Sequence, residues 1–519
     1  MLFHALNEPV IRFDTVDGSR VEGSLPQVYE ALMADAVVSF PALRPHQRHA
    51  WHAFVVQLGA LALHRAAATD LPVEAAGWAT TLRGLTVQFP EDEPWYLVSG
   101  DITRPAFLQP SATSVDREAD YKRTVSSADE LDMLRTAKNH DLKSALAVGG
   151  KIDDWIFALV TVQTMDGFEG AGNYGISRMN GGMGNRPAFS LAPAGGLGAH
   201  VQRDMAILLD RRLELFELFP RTDTVHSLLW TIPWDGAREE GLSLGDLDPF
   251  YIEVCRRIRM YTDSGDRLRA KRATSRGPRV EARQLKGRTG DPWTPVNRKE
   301  GKALTLAAGG FTYRRVAEYL TSGDYEQPVL LQATPTERDT GEEMRIVARA
   351  MVRGQGKTEG YHERSVPLRA RTVKALGSAA GTQSIGDLSR ERIKQVQVVQ
   401  RILSHAIQTF LARGRPDSIR PEDRQRARGW LNQLDAAVDA DYFDSLQVEF
   451  EADPDGQAAV RRLWLRWVID QARVLLQDAV STLPCPAVHR YRARTSAESL
   501  FEGRIRGAGG LPFLFTEDG

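Results

Sequence analysis

Leu376-Gly377-Ser378-Ala379-Ala380-Gly381-Thr382 divides this sequence into two parts that read differently. The stretch is made of small residues without an apolar repeat, and it reads as a linker. Beyond it, Val396, Val399, Leu403, Ala406 and Phe410 recur at the spacing of a helix with one buried stripe. A second helix follows Pro421 and carries Trp430, Leu434 and Val438. A third spans about Gln457 to Leu483, with Val460, Trp464, Trp467 and Leu475 facing inward. A fourth runs from about Ala487 to Phe501. These amphipathic helices with modest connections predict an up-down four-helix bundle over residues 376–519.

Residues 1–375 mix both periods. Val10 to Phe13 and Ser19 to Glu22 alternate around Asp17-Gly18, the signature of a β-hairpin. Pro26 opens a short helix through Leu32, and a longer one spans Pro45 to Ala66 with one buried side. Residues 84–108 carry short strand-like runs broken by Pro90, Pro94 and Gly100. No βαβ rhythm and no internal repeat emerge. The chain is therefore expected to be α+β, with a large mixed α/β N-terminal domain (1–375) followed by the bundle.

Composition narrows the function. The 519 residues hold 42% hydrophobic side chains, enough for a substantial core, and 66 basic against 67 acidic groups. A balanced total leaves nucleic-acid binding open, since local clustering decides it. Two cysteines, Cys255 and Cys485, cannot build a disulfide framework or a cysteine-based zinc site. The N-terminus lacks a signal-peptide pattern, and no apolar run reaches the 18 or so residues of a membrane span. A cytoplasmic protein is expected.

Four segments could carry chemistry. Gly167-Phe168-Glu169-Gly170-Ala171-Gly172-Asn173-Tyr174-Gly175, followed by Gly181-Gly182-Met183-Gly184, is the densest. Gly170, Gly172 and Gly175 match G-x-G-x-x-G in spacing, but a dinucleotide site needs a strand before and a helix within the motif. Bare backbone here suits close approach to a nucleic-acid groove; a turn-rich connection is the bland alternative. The second segment, Arg353 to Arg364, lies between two strand-like runs and reads as a polar hairpin tip. Its Gly356-Lys357-Thr358 lacks the upstream glycine of a phosphate loop, because residue 351 is Met. The third, Arg267 to Arg288, holds nine basic residues and one acid, Glu281. That is either a solvated loop or a phosphate contact. The fourth, Lys138-Asn139-His140-Asp141-Leu142-Lys143, pairs a His with an Asp but offers no nucleophile, so a polar binding loop is favoured over catalysis. His46, His49 and His52 do not all share one helix face, and no metal site is expected from them.

The opening hairpin, Pro105-Ala106-Phe107-Leu108-Gln109, the glycine-rich region 167–186 and the hairpin at 353–364, in that chain order and with a closing bundle, resemble the large subunit (CasA) of the type I-E CRISPR surveillance complex, Cascade, over nearly the whole length. The hairpin at 353–364 is the most specific element. The resemblance implies a non-catalytic subunit without cofactor. It would read the protospacer-adjacent motif of double-stranded target DNA from the minor groove and help open the duplex for R-loop formation. Its implied partners are guide RNA, the backbone, small and handle-binding subunits, and a helicase-nuclease recruited later. By the same resemblance, Gly170, Ala171, Gly172 and Asn173 form the groove-tracking loop. Gly354, Gln355, Gly356 and Lys357 form a duplex wedge. Lys286 is the lysine finger, and Asn139, His140 and Lys143 sit near the guide's handle. A nucleotide-dependent or hydrolytic enzyme using the glycine-rich region, or a pure assembly scaffold, are the competing classes.

Overall fold

The computed structural model describes residues 1–68, 70–132, 150–354 and 357–515. Asn139, His140 and Lys143 lie outside the described residues, as do Gln355 and Gly356. Gly354 and Lys357 are placed as the ends of two strands. The chain mixes helix and strand and divides into two compact units. The first comprises Met1–Phe311, Asp324–Ala333 and Glu342–Val366; the second comprises Thr312–Gly323, Thr334–Gly341 and Pro367–Gly519. The backbone thus passes from one unit to the other five times.

The helix Arg48–Arg65 is the axis of the first unit. Sequence periodicity predicts one buried side, but the helix is buried on nearly all sides from His49 to Leu63. The cause is its surroundings: helices Ile152–Thr164 and Leu197–Asp210 and the strand Leu247–Ile252 all pack on it. A helix apolar all round takes such a central place. Trp51 meets Phe157 edge-on at 4.9 Å, and Phe54 meets Phe107 at 5.8 Å. Each large apolar side chain buried here stabilises the fold by about 1.5–3 kcal/mol.

The opening hairpin forms from Ile11–Thr15 and Arg20–Gly23, in the register Ile11↔Gly23 and Asp14↔Arg20. Helix Leu25–Met33 follows, and the N–H of its N-cap residue, Ser24, donates to Gln27 Oε1 at 2.8 Å. The strand-like runs of 84–108 reduce to Tyr96–Val98, paired with Leu2–His4. Pro94 lies in a short turn of 3-10 helix instead, since proline cannot supply a ladder N–H.

Two sheets place the candidate site. Met344–Gly354 runs antiparallel to Ala188–Pro193 on one side and neighbours Lys357–Leu368 on the other. Arg257–Thr262, Leu268–Ala273 and Arg123–Val125 form the second sheet.

In the second unit, the helices Ala379–Leu411, Pro421–Glu451, Pro454–Thr482 and Ala487–Arg506 enclose a core of Val399, Leu403, Leu434, Val438, Leu465 and Phe501. Leu376–Thr382 is not a linker. Only Gly377 and Ser378 separate helix Ala370–Leu376 from the next, and Ser378 Oγ accepts the Gly381 N–H at 3.1 Å. Small residues with a Ser ahead of them signal a helix start as readily as a loop. The inward row of the third long helix is Leu465, Val468, Ala472, Leu476 and Ala479, one position away from the predicted Trp467 and Leu475, which are partly buried. Arg392, fully buried, donates to Glu449 at 2.5 Å and lies 4.2 Å over the Trp464 ring. Among the described residues no helix is long and apolar enough to cross a membrane.

Candidate nucleic-acid interface

Helix Ile152–Thr164 leads directly into the glycine-rich segment. The Gly167 N–H donates to the Gly184 carbonyl at 2.9 Å and the Phe168 N–H to the Gly182 carbonyl at 2.7 Å, so the two glycine stretches double back on each other. A tight turn follows. The Asn173 N–H donates to Gly170 O, and the Glu169 N–H to Asn173 O, both at 3.0 Å. Gly170 and Gly172 adopt φ of +110° and +78°, which glycine reaches without steric cost. Behind the turn, the Gly172 carbonyl accepts the Ser275 N–H at 3.0 Å. Ala171 stands exposed at the front. A helix precedes the motif, and neither helix nor strand forms between Gly175 and Ala188. That arrangement differs from the strand–loop–helix a dinucleotide site requires.

A Cβ at position 172 would lie 2.7 Å from Thr274 Cβ, on a backbone that L side chains rarely adopt. Gly172→Ala is therefore expected to cost about 1–3 kcal/mol locally. Faster amide exchange confined to residues 169–176, with the rest of the unit unchanged, is the measurement that checks it.

Beside the loop lies a cavity of about 980 Å³. Ala171, Tyr174, Arg238, Arg276, Arg283 and Lys286 are among the residues that line it, and the Tyr174 hydroxyl donates to the Arg276 carbonyl at 3.2 Å. Among the described residues none of these four cations has an acidic partner, and all four are exposed; Glu281 is the one acid on the wall. Lys286 itself takes a left-handed conformation, φ +50°, followed by Gly287 at +80°. Its side chain lines the same cavity as the glycine loop.

Under the loop lies a buried ion cluster. Arg256 lies 3.2 Å from Asp166 and 3.7 Å from Glu169. Arg272 contacts Glu169 at 2.9 Å, and Arg353 contacts both acids at 3.4 and 3.3 Å. Arg256 also donates to the carbonyls of Gly167 and Tyr174, gripping the glycine segment at both ends. Burial, helped by the charge of Glu169, pushes the Asp166 carboxyl up to about 7. Burial also opposes the charge of Glu169, but Arg256, Arg272 and Arg353 outweigh it and hold that carboxyl well below the usual range. Arg353 is the residue before Gly354, so the cluster ties the root of the hairpin to the base of the glycine loop. The Asn185 N–H, donating to Met351 O at 3.1 Å, adds a second tie.

The structure thus brings the glycine loop, Lys286 and the root of the hairpin together from three separated stretches. It disperses much of the basic run, 267–288. Arg267 and Arg269 pair with Asp263, Lys271 with Glu118 and Arg272 with Glu169. Arg279 is buried 5.3 Å over the Trp234 ring and donates to Ile232 O. Part of that run is a strand whose side chains alternate between faces. Arg238, outside the run, was not legible as part of the site; no local pattern marks it. The ion cluster was likewise missed, although Glu169 and Arg353 both lie inside segments that sequence singles out.

No protein-family model matches the chain, and no curated protein matches it. Solved structures do. The CRISPR-associated protein Cse1 from Acidimicrobium ferrooxidans superposes with a TM-score of 0.62 at 15% identity, over 97% of this chain and 98% of that one. CasA from Thermus thermophilus gives 0.63 at 14%, covering 97% and 99%. The chain has the CasA fold. A chain of a CRISPR RNA-guided surveillance complex matches it too, at 0.58 and 12% identity over 97% and 99%. Coverage of both chains is nearly complete, so the CasA fold accounts for both compact units.

Proposed function

We propose that this chain is the large subunit of a type I-E CRISPR RNA-guided surveillance complex. In this reading it recognises the protospacer-adjacent motif in double-stranded DNA and helps open the duplex for R-loop formation. It also helps recruit the helicase-nuclease and works without a catalytic site or cofactor of its own. The carrying observation is that the glycine loop shares a cation-lined cavity with Lys286 and is tied at its base to the hairpin root through Arg353, within a chain that has the CasA fold. Gly170–Asn173 lies along the minor groove, where glycine lets the backbone come close. Lys286 holds the backbone or groove edge. Gln355 separates the first target pair while Lys357 holds a phosphate. Minor-groove readout is degenerate, so several motifs are accepted, and pairing with the guide supplies the long specificity. Strand exchange is nearly balanced in energy, so a wedge that offsets about a few kcal/mol of unstacking tips the outcome. Asn139, His140 and Lys143 complete the reading as the loop near the guide's handle, beside the backbone, small and handle-binding subunits.

The test is a gel-shift titration of guide-loaded complex, with and without this chain, on duplexes with a randomised flank. Binding that requires the chain and selects flanks supports the reading. Binding indifferent to the chain, or to the flank, leaves a scaffold role. Within the same assay, replacing Gln355 and Lys357 together with Ala is expected to impair motif-dependent duplex binding more than binding to single strands. Equal losses on both would exclude the wedge.

A further inference from the structure

His52, His200 and Asp204 come from two helices that pack together in the first unit, Arg48–Arg65 and Leu197–Asp210. Asp204 Oδ2 lies 2.8 Å from His52 Nε2 and 3.4 Å from His200 Nε2. The three ligand atoms fall within 4.8 Å of one another. His200 and Asp204 are one helical turn apart and share a face, while His52 enters from the neighbouring helix. We propose that these three side chains form a structural site for one divalent transition-metal ion, Zn²⁺ foremost, that staples the two helices together.

The donor set suits the ion. Two imidazole nitrogens and a carboxylate oxygen are common zinc ligands, bound at about 2.0–2.2 Å in a tetrahedron. Such a tetrahedron separates its corners by about 3.3 Å, and the two imidazole–carboxylate distances bracket that value. A fourth donor, an oxygen, is at hand, since Ser190 Oγ lies 2.9 Å from His200 Nε2. The carboxylate is already oriented. Arg203 donates to Asp204 Oδ1 at 3.3 Å and to the carbonyls of Leu191 and Leu330, leaving Oδ2 to face both rings. Second partners of this kind fix the direction of metal ligands. The other nearby cation, Arg349, is paired with Glu363 at 3.0 Å. Asp204 is fully buried and His200 nearly so, which fits a closed structural site. No cysteine takes part, as both thiols belong to other regions.

The full-length chain, stripped with a chelator, is titrated with Zn²⁺ against a chromophoric competitor. Roughly one ion per chain is expected. Affinity should fall on the order of a hundredfold or more in His200→Gln and in Asp204→Asn. His46→Gln, which alters the neighbouring pair of His46 with Asp132 at 2.8 Å, should leave it unchanged. With Co²⁺, the visible bands of a four-coordinate ion are expected without a thiolate charge-transfer band. The proposal is overturned by absence of binding to the parent chain, by full binding in both variants, or by a thiolate band. Where circular dichroism shows that the variants do not fold, the cobalt spectrum of the parent chain decides, and a six-coordinate spectrum overturns the site. None of these outcomes bears on DNA recognition.

Discussion

Replacing Arg256 with Met is expected to lower the unfolding free energy by about 3–5 kcal/mol, the usual cost of breaking a buried ion pair from one side. The Arg256 side chain is 2% exposed and lies between Asp166, fully buried, and Glu169. Methionine fills much of the space but leaves both carboxylates short of a cation. It also leaves the Gly167 and Tyr174 carbonyls without their donor. Adding Asp166→Asn should therefore restore part of the loss, because the uncompensated charge is removed. Urea unfolding followed by circular dichroism compares the single and double variants. Equal midpoints would mean that the carboxylate is not the source of the loss. The pH dependence has a definite sign. Asp166 sits near 7 in the fold against an ordinary 3.8, so folding takes up a proton between those values. Its contribution therefore falls as pH rises through that window. Without Arg256 the protonated form is favoured further, and the deficit of the variant should shrink when the pH is lowered from about 8 to about 5.

Replacing Lys286 with Ala is expected to weaken duplex binding by the assembled complex about tenfold or more at low salt. It should also make the dependence of log affinity on log salt shallower by about one unit. Lys286 is exposed on the cavity wall, and no acid among the described residues neutralises it, so its charge is available to a polyanion. Arg267→Ala is the matched control: this residue belongs to the same basic run but is paired with Asp263 at 3.1 Å. Two results separate the roles open to Lys286. A uniform loss over all flanks identifies a phosphate contact, and a loss that relaxes flank preference identifies a groove-edge contact. No loss at all, at any salt, would remove Lys286 from the interface.

The secondary structure of this chain was legible where local chemistry is decisive. The hairpin at Asp17-Gly18 and the helices after Pro26 and Pro421 follow from turn residues and helix starts that need no tertiary partner. Positions were misjudged where surroundings decide. Arg48–Arg65 is buried on nearly all sides because of three elements distant in sequence. The helix start at Ser378 looks like a linker until its capping bond is seen. At the candidate interface, Gly170 and Gly172 could be singled out because only glycine accepts such φ values freely. The ion cluster could not, because Asp166 meets Arg256 across 90 residues and Arg353 across 187. The basic run misleads for a related reason: Asp263, the partner of Arg267 and Arg269, lies just ahead of it, but Glu118 and Glu169, which pair with Lys271 and Arg272, are supplied by remote segments.

The five crossings between units have a consequence for biosynthesis. Helix Tyr313–Thr321 belongs to the second unit, where Tyr313 packs against Tyr442 at 4.6 Å and its N–H donates to Asp439 at 2.5 Å. It leaves the ribosome more than a hundred residues before those partners. Meanwhile the strands of Glu342–Val366, needed to close the first unit, emerge only after two segments of the second. Chains usually fold one domain at a time as they are made, but here neither unit can be finished before the other is begun. Nascent intermediates will carry an unmatched helix from the second unit while the first is closing, which makes them natural clients for chaperones that shield apolar surface. Fragments cut at a single point in the sequence will inherit the same incompleteness.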